Sequence, residues 1–274
     1  MSEEREVWTE EDERAERKRR RRNAGTIILI ILCAAVFAFS AWQLIKYYHA
    51  NNVAESGFEE IRPPAVSDEG GVQTELTYED LLPYYKQLKA ENEDFVGWLR
   101  IPDTVIDYPV MQTKPPKNPE YYIDKNFKKE YQAAGSIFAS EISDVDRPSD
   151  AVILYGHHMK TGTMFGSMGD FLKQDFFDAH RDVIFDTMTG RNEYVIYGLF
   201  KTQVYTDDPA EFAYYSVSDF TTQSAFDDFM KQVDAKLQIS DAAMRPMLGD
   251  KILMLSTCEY SQENGRLVIV AVRR

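Results

Sequence analysis

The run Lys251-Ile-Leu-Met-Leu-Ser-Thr-Cys258 leads an apolar segment into a cysteine, and Arg266 follows eight residues later. Such a run predicts a buried β-strand that ends near the cysteine. The chain has two cysteines, and the other lies in an apolar N-terminal segment, so Cys258 has no disulfide partner in the rest of the chain. A lone thiol at a strand end is a candidate nucleophile. The alternative is a free cysteine that fills a core as a small hydrophobe.

The residues after Cys258 predict a hairpin. The loop Glu259-Tyr-Ser-Gln-Glu-Asn-Gly265 ends in Asn-Gly, a dipeptide that favours a tight reversal, and Arg266 begins the returning strand. If the two strands pair, Arg266 lies at the mouth of the hairpin. Its guanidinium would there meet an oxygen that gains negative charge during acyl transfer. The alternative is a strand-end arginine in solvent.

A second predicted strand, Ala151-Val-Ile-Leu-Tyr-Gly-His-His158, ends in two histidines. A histidine exchanges protons near neutral pH, and adjacent side chains of an extended chain point to opposite faces, so one of the two is expected at a given site. Paired histidines also occur in zinc sites, but no further ligands stand at matching spacing, and we predict no metal. Cysteine, histidine and arginine together supply a nucleophile, proton transfer and oxyanion stabilisation, and this chemistry requires no cofactor.

The N-terminal part of the chain predicts a membrane anchor. Residues 25–45 carry no charge, and as a helix of about 1.5 Å per residue they span about 31 Å, the thickness of a bilayer core. The basic run at 17–22 precedes them and favours a cytoplasmic N-terminus. We therefore expect a cytoplasmic tail at 1–23, a transmembrane anchor at 24–45 and all later residues outside the cell. A cleaved signal peptide, with Ala38-Phe-Ser40 as a weak cleavage site, is the alternative.

The net charge of −14 lies entirely in the predicted external part. Residues 1–23 carry eight acidic and eight basic side chains, which leaves 37 acidic against 23 basic after the anchor. This charge excludes nucleic acid as a partner and favours a cationic one, such as an amine-bearing substrate. One cysteine outside the membrane also excludes a disulfide framework, which favours a bacterial cell surface over a eukaryotic secreted module.

Polar and small residues with Pro63-Pro64 and Gly70-Gly71 predict a linker at 46–76. Thr77 and Asp80 are typical of a helix start, and apolar spacing predicts helices at about 77–92 and 222–238. Eight β-rich runs follow residue 95 and indicate a mainly β barrel or sandwich. They are residues 96–101, 105–111, 135–139, 151–155, 183–186, 193–200, 251–255 and 267–272.

The motifs quoted above resemble those of the sortases, most closely class B. The similar stretches are Leu255-Ser-Thr-Cys258 with Arg266 downstream, Tyr155-Gly-His-His-Met159, Val96-Gly-Trp-Leu-Arg-Ile101, Ile106-Asp-Tyr-Pro-Val110, Gly135-Ser-Ile-Phe138 and Met164-Phe-Gly-Ser-Met168. The resemblance covers residues 77–274, which we take as the catalytic domain. It implies a closed eight-stranded β-barrel with N-terminal helices and a long helix before the cysteine strand, preceded by one transmembrane helix.

The resemblance also implies roles for individual residues. Cys258 matches the nucleophile, His157 the catalytic histidine and Arg266 the catalytic arginine. His158 stands where the family tolerates other residues and is assigned no chemistry. The residues expected to contact substrate are Ser256, Thr257 and Tyr155.

The implied activity is that of a cysteine transpeptidase on the surface of a Gram-positive cell. Such an enzyme cleaves the sorting signal of a secreted protein after threonine and transfers the protein, through a thioacyl-enzyme, to a lipid II-like peptidoglycan amine. A pilus-polymerising enzyme, which would use a lysine side chain as acceptor, is an alternative within the family. A non-catalytic surface adhesin or receptor module is the alternative from another class of protein.

Overall fold

The computed structural model describes residues 10–64, 66–69, 72–205 and 211–274. The chain divides into two compact units, Met1–Ala50 and Asn51–Arg274. The first helix, α1, spans Glu10–Glu60.

The first unit contains an apolar helical segment, Arg17–Lys46, which among the described residues is the one stretch long and apolar enough to cross a membrane. Its large apolar side chains, from Ile27 to Ile45, are all more than half exposed. A continuous apolar surface of this kind is a site for lipid or for another protein, because water solvates it poorly. The segment coincides with the predicted anchor.

The predicted linker at 46–76 is more ordered than its composition indicates. Its first part is helical as far as Glu60, and the side chains of Phe58 and Ile61 are buried in the second unit. Pro63-Pro64 follows the helix end, as expected from the restriction that proline places on the preceding residue. Burial of two apolar side chains therefore starts the compact unit before residue 77. Further along the segment, β1 (Val66–Glu69) pairs antiparallel with β2 (Val72–Glu75). Gly70-Gly71, predicted as linker residues, lie outside the described residues.

Helix α2 (Tyr78–Glu91) confirms the helix predicted at about 77–92. It begins with a capping box in which the Thr77 side chain and the Asp80 side chain each bond the other residue's backbone amide. Pro83 lies inside the helix, where its missing N–H leaves one backbone carbonyl, that of Glu79, without an intrahelical donor. The predicted apolar stripe packs on the barrel through its buried members Leu81, Tyr85 and Leu88.

Eight strands form a closed barrel, which confirms the predicted fold. They are β3 (Phe95–Arg100), β4 (Asp107–Met111), β5 (Ile137–Ala139), β6 (Ala151–Tyr155), β7 (Asp182–Thr187), β8 (Gly190–Gln203), β10 (Ile252–Glu259) and β11 (Gly265–Arg273), with a short β9 (Leu237–Ser240) along the chain between β8 and β10. The order around the barrel is β11-β10-β6-β5-β4-β3-β7-β8, and the pairing of β8 with β11 closes it. Closure removes the free edges that an open sheet would expose.

Strand β10 is buried on both faces, which explains why its sequence is continuously apolar rather than alternating. Leu253 and Leu255 belong to the barrel interior. Ile252 and Met254 belong to a second cluster outside the barrel, which includes the apolar face of helix α4 (Gln223–Lys236). The preceding helix, the short α3 (Gln174–Ala179), lies before β7 in the chain. The helix predicted at 222–238 is thus confirmed, except that its last residues form β9, because pairing of Leu237 with Phe200 of β8 replaces the final helical turn.

The connection between β4 and β5 is long, and one buried carboxylate ties it to the barrel. Asp94 accepts hydrogen bonds from the Tyr122 hydroxyl and from the ammonium groups of Lys117 and Lys129, each at 3.0 Å. Burial raises the pKa of the Asp94 carboxyl, but the two ammonium groups and the hydroxyl outweigh it and hold the pKa below its ordinary value. The ionised form therefore stabilises the fold.

We predict a pH-dependent stability difference between the wild-type chain and Asp94→Asn. Because the pKa of Asp94 is depressed in the folded state, its contribution is fully present above the unfolded value of about 4 and is lost as the pH falls through the folded value. The free energy of unfolding, measured by urea titration from pH 7 to pH 2, should favour the wild type at neutral pH and converge with the variant in acid. Asp228→Asn, at an exposed position on α4, is the control. A difference that stays constant over this pH range would contradict the prediction.

Candidate active site

The hairpin of β10 and β11 places Cys258 directly opposite Arg266, as the sequence predicted. Opposite residues of an antiparallel pair share a face, with Cβ atoms about 4.5–5.5 Å apart. Both side chains are half-buried. The turn requires Gly265, because a Cβ atom there would lie 2.4 Å from the Glu259 carbonyl oxygen. The backbone alone thus makes the thiol and the guanidinium neighbours.

The parallel pairing of β6 with β10 brings His157 to the same place. The register ends with Tyr155 opposite Ser256. His157 lies two residues beyond Tyr155, just after the strand ends, and Cys258 lies two residues beyond Ser256. The sequence predicted a histidine beside the cysteine strand, and of the two adjacent histidines it is His157 that lines the same cleft as Cys258.

Two hydrogen bonds hold the chains together beyond the last paired residues. The Gly156 amide donates to the Ser256 carbonyl at 3.2 Å, and the Thr257 hydroxyl donates to the Gly156 carbonyl at 2.8 Å. Thr257 is 2 % exposed, so its hydroxyl is committed to this contact. The residue directly before His157 is therefore fixed to the residue directly before Cys258.

The imidazole of His157 has a defined hydrogen bond, from Nε2 to the carbonyl oxygen of Ile123 at 2.7 Å. A carbonyl oxygen only accepts, so Nε2 carries a proton. The second ring nitrogen, Nδ1, then remains for contact with other groups in the site. The hydrogen bond fixes both the tautomer of the ring and its orientation.

A single cleft of about 260 Å³ contains all six site residues that the sequence predicted. His157, Cys258 and Arg266 line it together with Tyr155, Ser256 and Thr257. The remaining lining combines aromatic rings with hydroxyl groups, from Phe138, Ser140, Tyr205, Tyr214 and Tyr215. Two carboxylates, those of Glu120 and Glu141, lie at its exposed edge. The cleft offers both apolar and polar contacts to a bound group.

The floor of the cleft is a buried pair of hydroxyl groups. Ser256 is 1 % exposed, and its hydroxyl lies 2.7 Å from that of Tyr214. Burial raises the pKa of Tyr214 to about 12, against the lowering effect of this hydrogen bond, so the phenol is neutral at physiological pH. Burial also raises the pKa of the Tyr155 hydroxyl. The centre of the Tyr155 ring lies 5.5 Å from that of the Phe138 ring. Both tyrosines therefore act as hydrogen-bonding groups rather than as bases.

An ion pair lies beside the nucleophile position. Lys201 contacts the Glu259 carboxylate at 3.0 Å. Burial raises the pKa of Glu259, but hydrogen bonds from Ser261 and from Lys201 outweigh it and hold the pKa below its ordinary value. The opposite charges of Lys201 and Glu259 cancel. Among the residues that line the cleft, the cationic side chain is that of Arg266.

Three contributions to the site were not predicted from the sequence: the Ile123 carbonyl, the Tyr214 hydroxyl and the Lys201 ammonium group. The adjacent tyrosines at 214 and 215, within a segment otherwise poor in apolar pattern, were an available signal for the second. A backbone carbonyl has no signal in sequence. His158, which was assigned no chemistry, packs its ring at 5.2 Å from that of Tyr260.

The chain is similar to known proteins of one family. Residues 99–274 match the family model of the sortase domain. Sortase B of Listeria monocytogenes is 30% identical over 236 residues, 85% of this chain and 90% of that protein, and sortase B of Staphylococcus aureus is 31% identical over 195 residues, 70% and 75% of the two chains. The solved Staphylococcus aureus sortase B-substrate complex has a TM-score of 0.61 at 30% identity and covers 70% of this chain and 85% of its own.

The Thr257 hydroxyl gives a test of how the site is assembled. Thr257→Val keeps the shape of the side chain but leaves the Gly156 carbonyl without its donor, which should lower the free energy of unfolding by about 1–3 kcal/mol. Thr257→Ser restores the donor and should recover most of this loss. The measurement is urea denaturation followed by fluorescence. Equal stabilities of the valine variant and the wild type would show that the contact does not hold the two strand ends together.

Proposed function

The chain belongs to the sortase family and is a class B cysteine transpeptidase, and we propose that Cys258, His157 and Arg266 carry its chemistry. The observation that supports these roles is the convergence of the three side chains in one cleft through the pairing of β6, β10 and β11. A thiol, an imidazole and a guanidinium together provide nucleophilic attack, proton transfer and stabilisation of negative charge.

In the first half-reaction, the Cys258 thiolate attacks the carbonyl carbon that follows threonine in a sorting signal. The carbonyl oxygen becomes an oxyanion, which Arg266 stabilises from the directly opposite position on β11. The carbon–nitrogen bond then breaks, and protonated His157 gives the proton on Nδ1 to the departing amine. The products are a thioester on Cys258, a free amine and a neutral imidazole.

In the second half-reaction, a new amine attacks the thioester. Neutral His157 accepts a proton from this amine at Nδ1, and the Cys258 thiolate leaves as the new amide forms. His157 is again protonated and Cys258 is again a thiolate, as at the start. The cycle therefore needs no cofactor. Nε2 is held in a hydrogen bond to the Ile123 carbonyl. Nδ1 therefore serves both as the acid in the first half-reaction and as the base in the second.

The sorting signal is proposed to occupy the cleft over Tyr155, Ser256 and Thr257. The cleft's mixed lining suits a short extended peptide, and the Staphylococcus aureus relative has been solved as a sortase B-substrate complex. Class B membership favours a signal with an asparagine-proline or related sequence. Tyr205, Tyr214 and Tyr215 lie in the segment of about 201–225, which we propose selects it.

The acceptor is proposed to be an amine of a peptidoglycan precursor. The carboxylates of Glu120 and Glu141 at the cleft edge, and the net charge of −14, attract a protonated amine towards the site. Residues 24–45 are proposed as a single-pass anchor, with 1–23 in the cytoplasm and the domain at 77–274 outside the cell. The exposed apolar surface of this segment and the preceding basic run support that topology.

The assignment predicts that Cys258→Ala abolishes both cleavage and ligation, because no other group on the chain replaces the thiol. The full chain in detergent is incubated with a library of sorting peptides and with oligoglycine or lysine-containing acceptors, and products are identified by mass. Arg266→Lys, which keeps the charge but not the planar fork, should lower kcat by about 10²-fold.

The same experiment separates the alternatives. Ligation to a lysine side chain in preference to an oligoglycine amine would favour pilus polymerisation. Release of hydrolysed product that added amines do not divert would indicate a protease. Full turnover in Cys258→Ala, or none in the wild type with every peptide, would contradict the proposal and favour a non-catalytic surface module.

The proposed topology predicts which end of the chain is accessible from outside. In intact Gram-positive protoplasts that express the chain with a tag at each end, added protease should remove the C-terminal tag and leave the N-terminal tag attached to a fragment that contains the anchor. Protoplasts opened with detergent are the control, in which both tags are lost. Protection of the C-terminal tag in intact protoplasts would place the domain inside and overturn the proposal.

A further inference from the structure

The carbonyl of Ile123, which bonds His157, belongs to a turn whose neighbouring carbonyls are both committed. Tyr122 O accepts from the Ser136 amide at 3.0 Å, and Asp124 O accepts from the Gln132 amide at 2.9 Å. With a fixed peptide group on each side, the Ile123 carbonyl has one direction available, and in that direction it meets His157 Nε2. The orientation of the imidazole thus depends on the position of this turn.

The backbone behind the turn prevents the carbonyl from swinging away. Gly135 has a φ of +58°, and a Cβ atom there would lie 2.3 Å from the Ile123 oxygen and 2.7 Å from the Tyr122 oxygen. The two chain segments are therefore in close contact at this point. A displacement of the turn towards Gly135 would produce a clash, so movement is possible only towards the cleft or along the turn.

One side chain anchors the turn against such movement. Tyr122 is fully buried, and its hydroxyl donates to Asp94 at 3.0 Å and accepts from the Asn92 side chain at 2.8 Å. Asn92 also donates to the Phe127 carbonyl at 2.6 Å. The side chain of Ile123 is 42 % exposed and contributes little packing. The turn therefore takes its position from Tyr122 and the residues that bind its hydroxyl, which follow α2.

We propose that Tyr122 is a positioning residue for the transpeptidase reaction. Held by Asp94 and Asn92, it places the Ile123 carbonyl so that His157 keeps its proton on Nε2 and presents Nδ1 to the reacting groups. The inference rests on the proposed role of His157. It extends the functional unit from the cleft to a buried hydrogen-bond network at the junction of α2 and β3, none of whose side chains lines the cleft.

The test compares Tyr122→Phe with Tyr121→Phe in the full chain. Tyr121 is the neighbouring, half-buried tyrosine, whose ring packs edge-on at 5.2 Å from that of Tyr122 and is kept in the variant. Phenylalanine at 122 keeps the buried ring but removes the hydroxyl, so kcat should fall about tenfold with KM little changed, since a small misplacement of a catalytic group affects the transition state more than substrate binding. Tyr121→Phe should leave both constants unchanged.

A second readout separates positioning from loss of fold. In the resting chain labelled with ¹⁵N-histidine, the wild type and Tyr121→Phe should show His157 protonated on Nε2 alone in its neutral form, and Tyr122→Phe should show a mixture of both tautomers. Asp94→Ala should lower kcat as Tyr122→Phe does. Asp94→Asn keeps an oxygen acceptor for the Tyr122 hydroxyl and should therefore lose less of the kcat than Asp94→Ala. The folded fraction of each variant is measured by near-UV circular dichroism so that kcat refers to folded protein.

The proposal is overturned if Tyr122→Phe has the wild-type tautomer and the wild-type kcat per active site. It is also overturned if kcat falls in proportion to the folded fraction alone, because that would describe a structural role. A wild-type chain with no turnover on any peptide would contradict the proposed function instead, while the ring signals of the resting protein would still decide whether Tyr122 sets the tautomer.

Discussion

The site depends on the hydrogen bonding of β10 along both of its edges. The parallel pairing with β6 brings His157 beside Cys258, and the antiparallel pairing with β11 brings Arg266 opposite it. A one-residue slip of either pairing would turn one partner to the other face of the sheet. Register is therefore the constraint from which the chemistry follows.

Burial on both faces makes that register strict. Leu253 and Leu255 fill the barrel, whereas Ile252 and Met254 pack in the cluster of α4, so neither face of β10 tolerates exchange with the other. At the strand end, where apolar packing stops, hydrogen bonds continue the alignment through Thr257 and Gly156. The half-buried thiol thus lies near the end of a strand that is paired on both sides, rather than on a loop.

Much of this arrangement could be predicted from sequence, because it depends on local pattern. The continuous apolar run before Cys258 indicated a strand that ends near the cysteine, and Asn264-Gly265 indicated the hairpin that returns Arg266. The contributions of Phe58 and of Ile123 could not be predicted in the same way. The burial of Phe58 depends on a tertiary contact that polar neighbours conceal, and the role of Ile123 belongs to a backbone oxygen that any residue could supply.

The account predicts one chemical species above all, an acyl group carried by the cysteine that ends β10. The full chain is mixed with a cleavable sorting peptide in the absence of any amine acceptor, quenched in acid, and digested for mapping of the modified residue by mass spectrometry. The predicted result is a thioester on Cys258 that carries the peptide up to and including threonine and that added amine discharges. An acyl group on any other residue, or cleavage without an acyl-enzyme, would contradict the account.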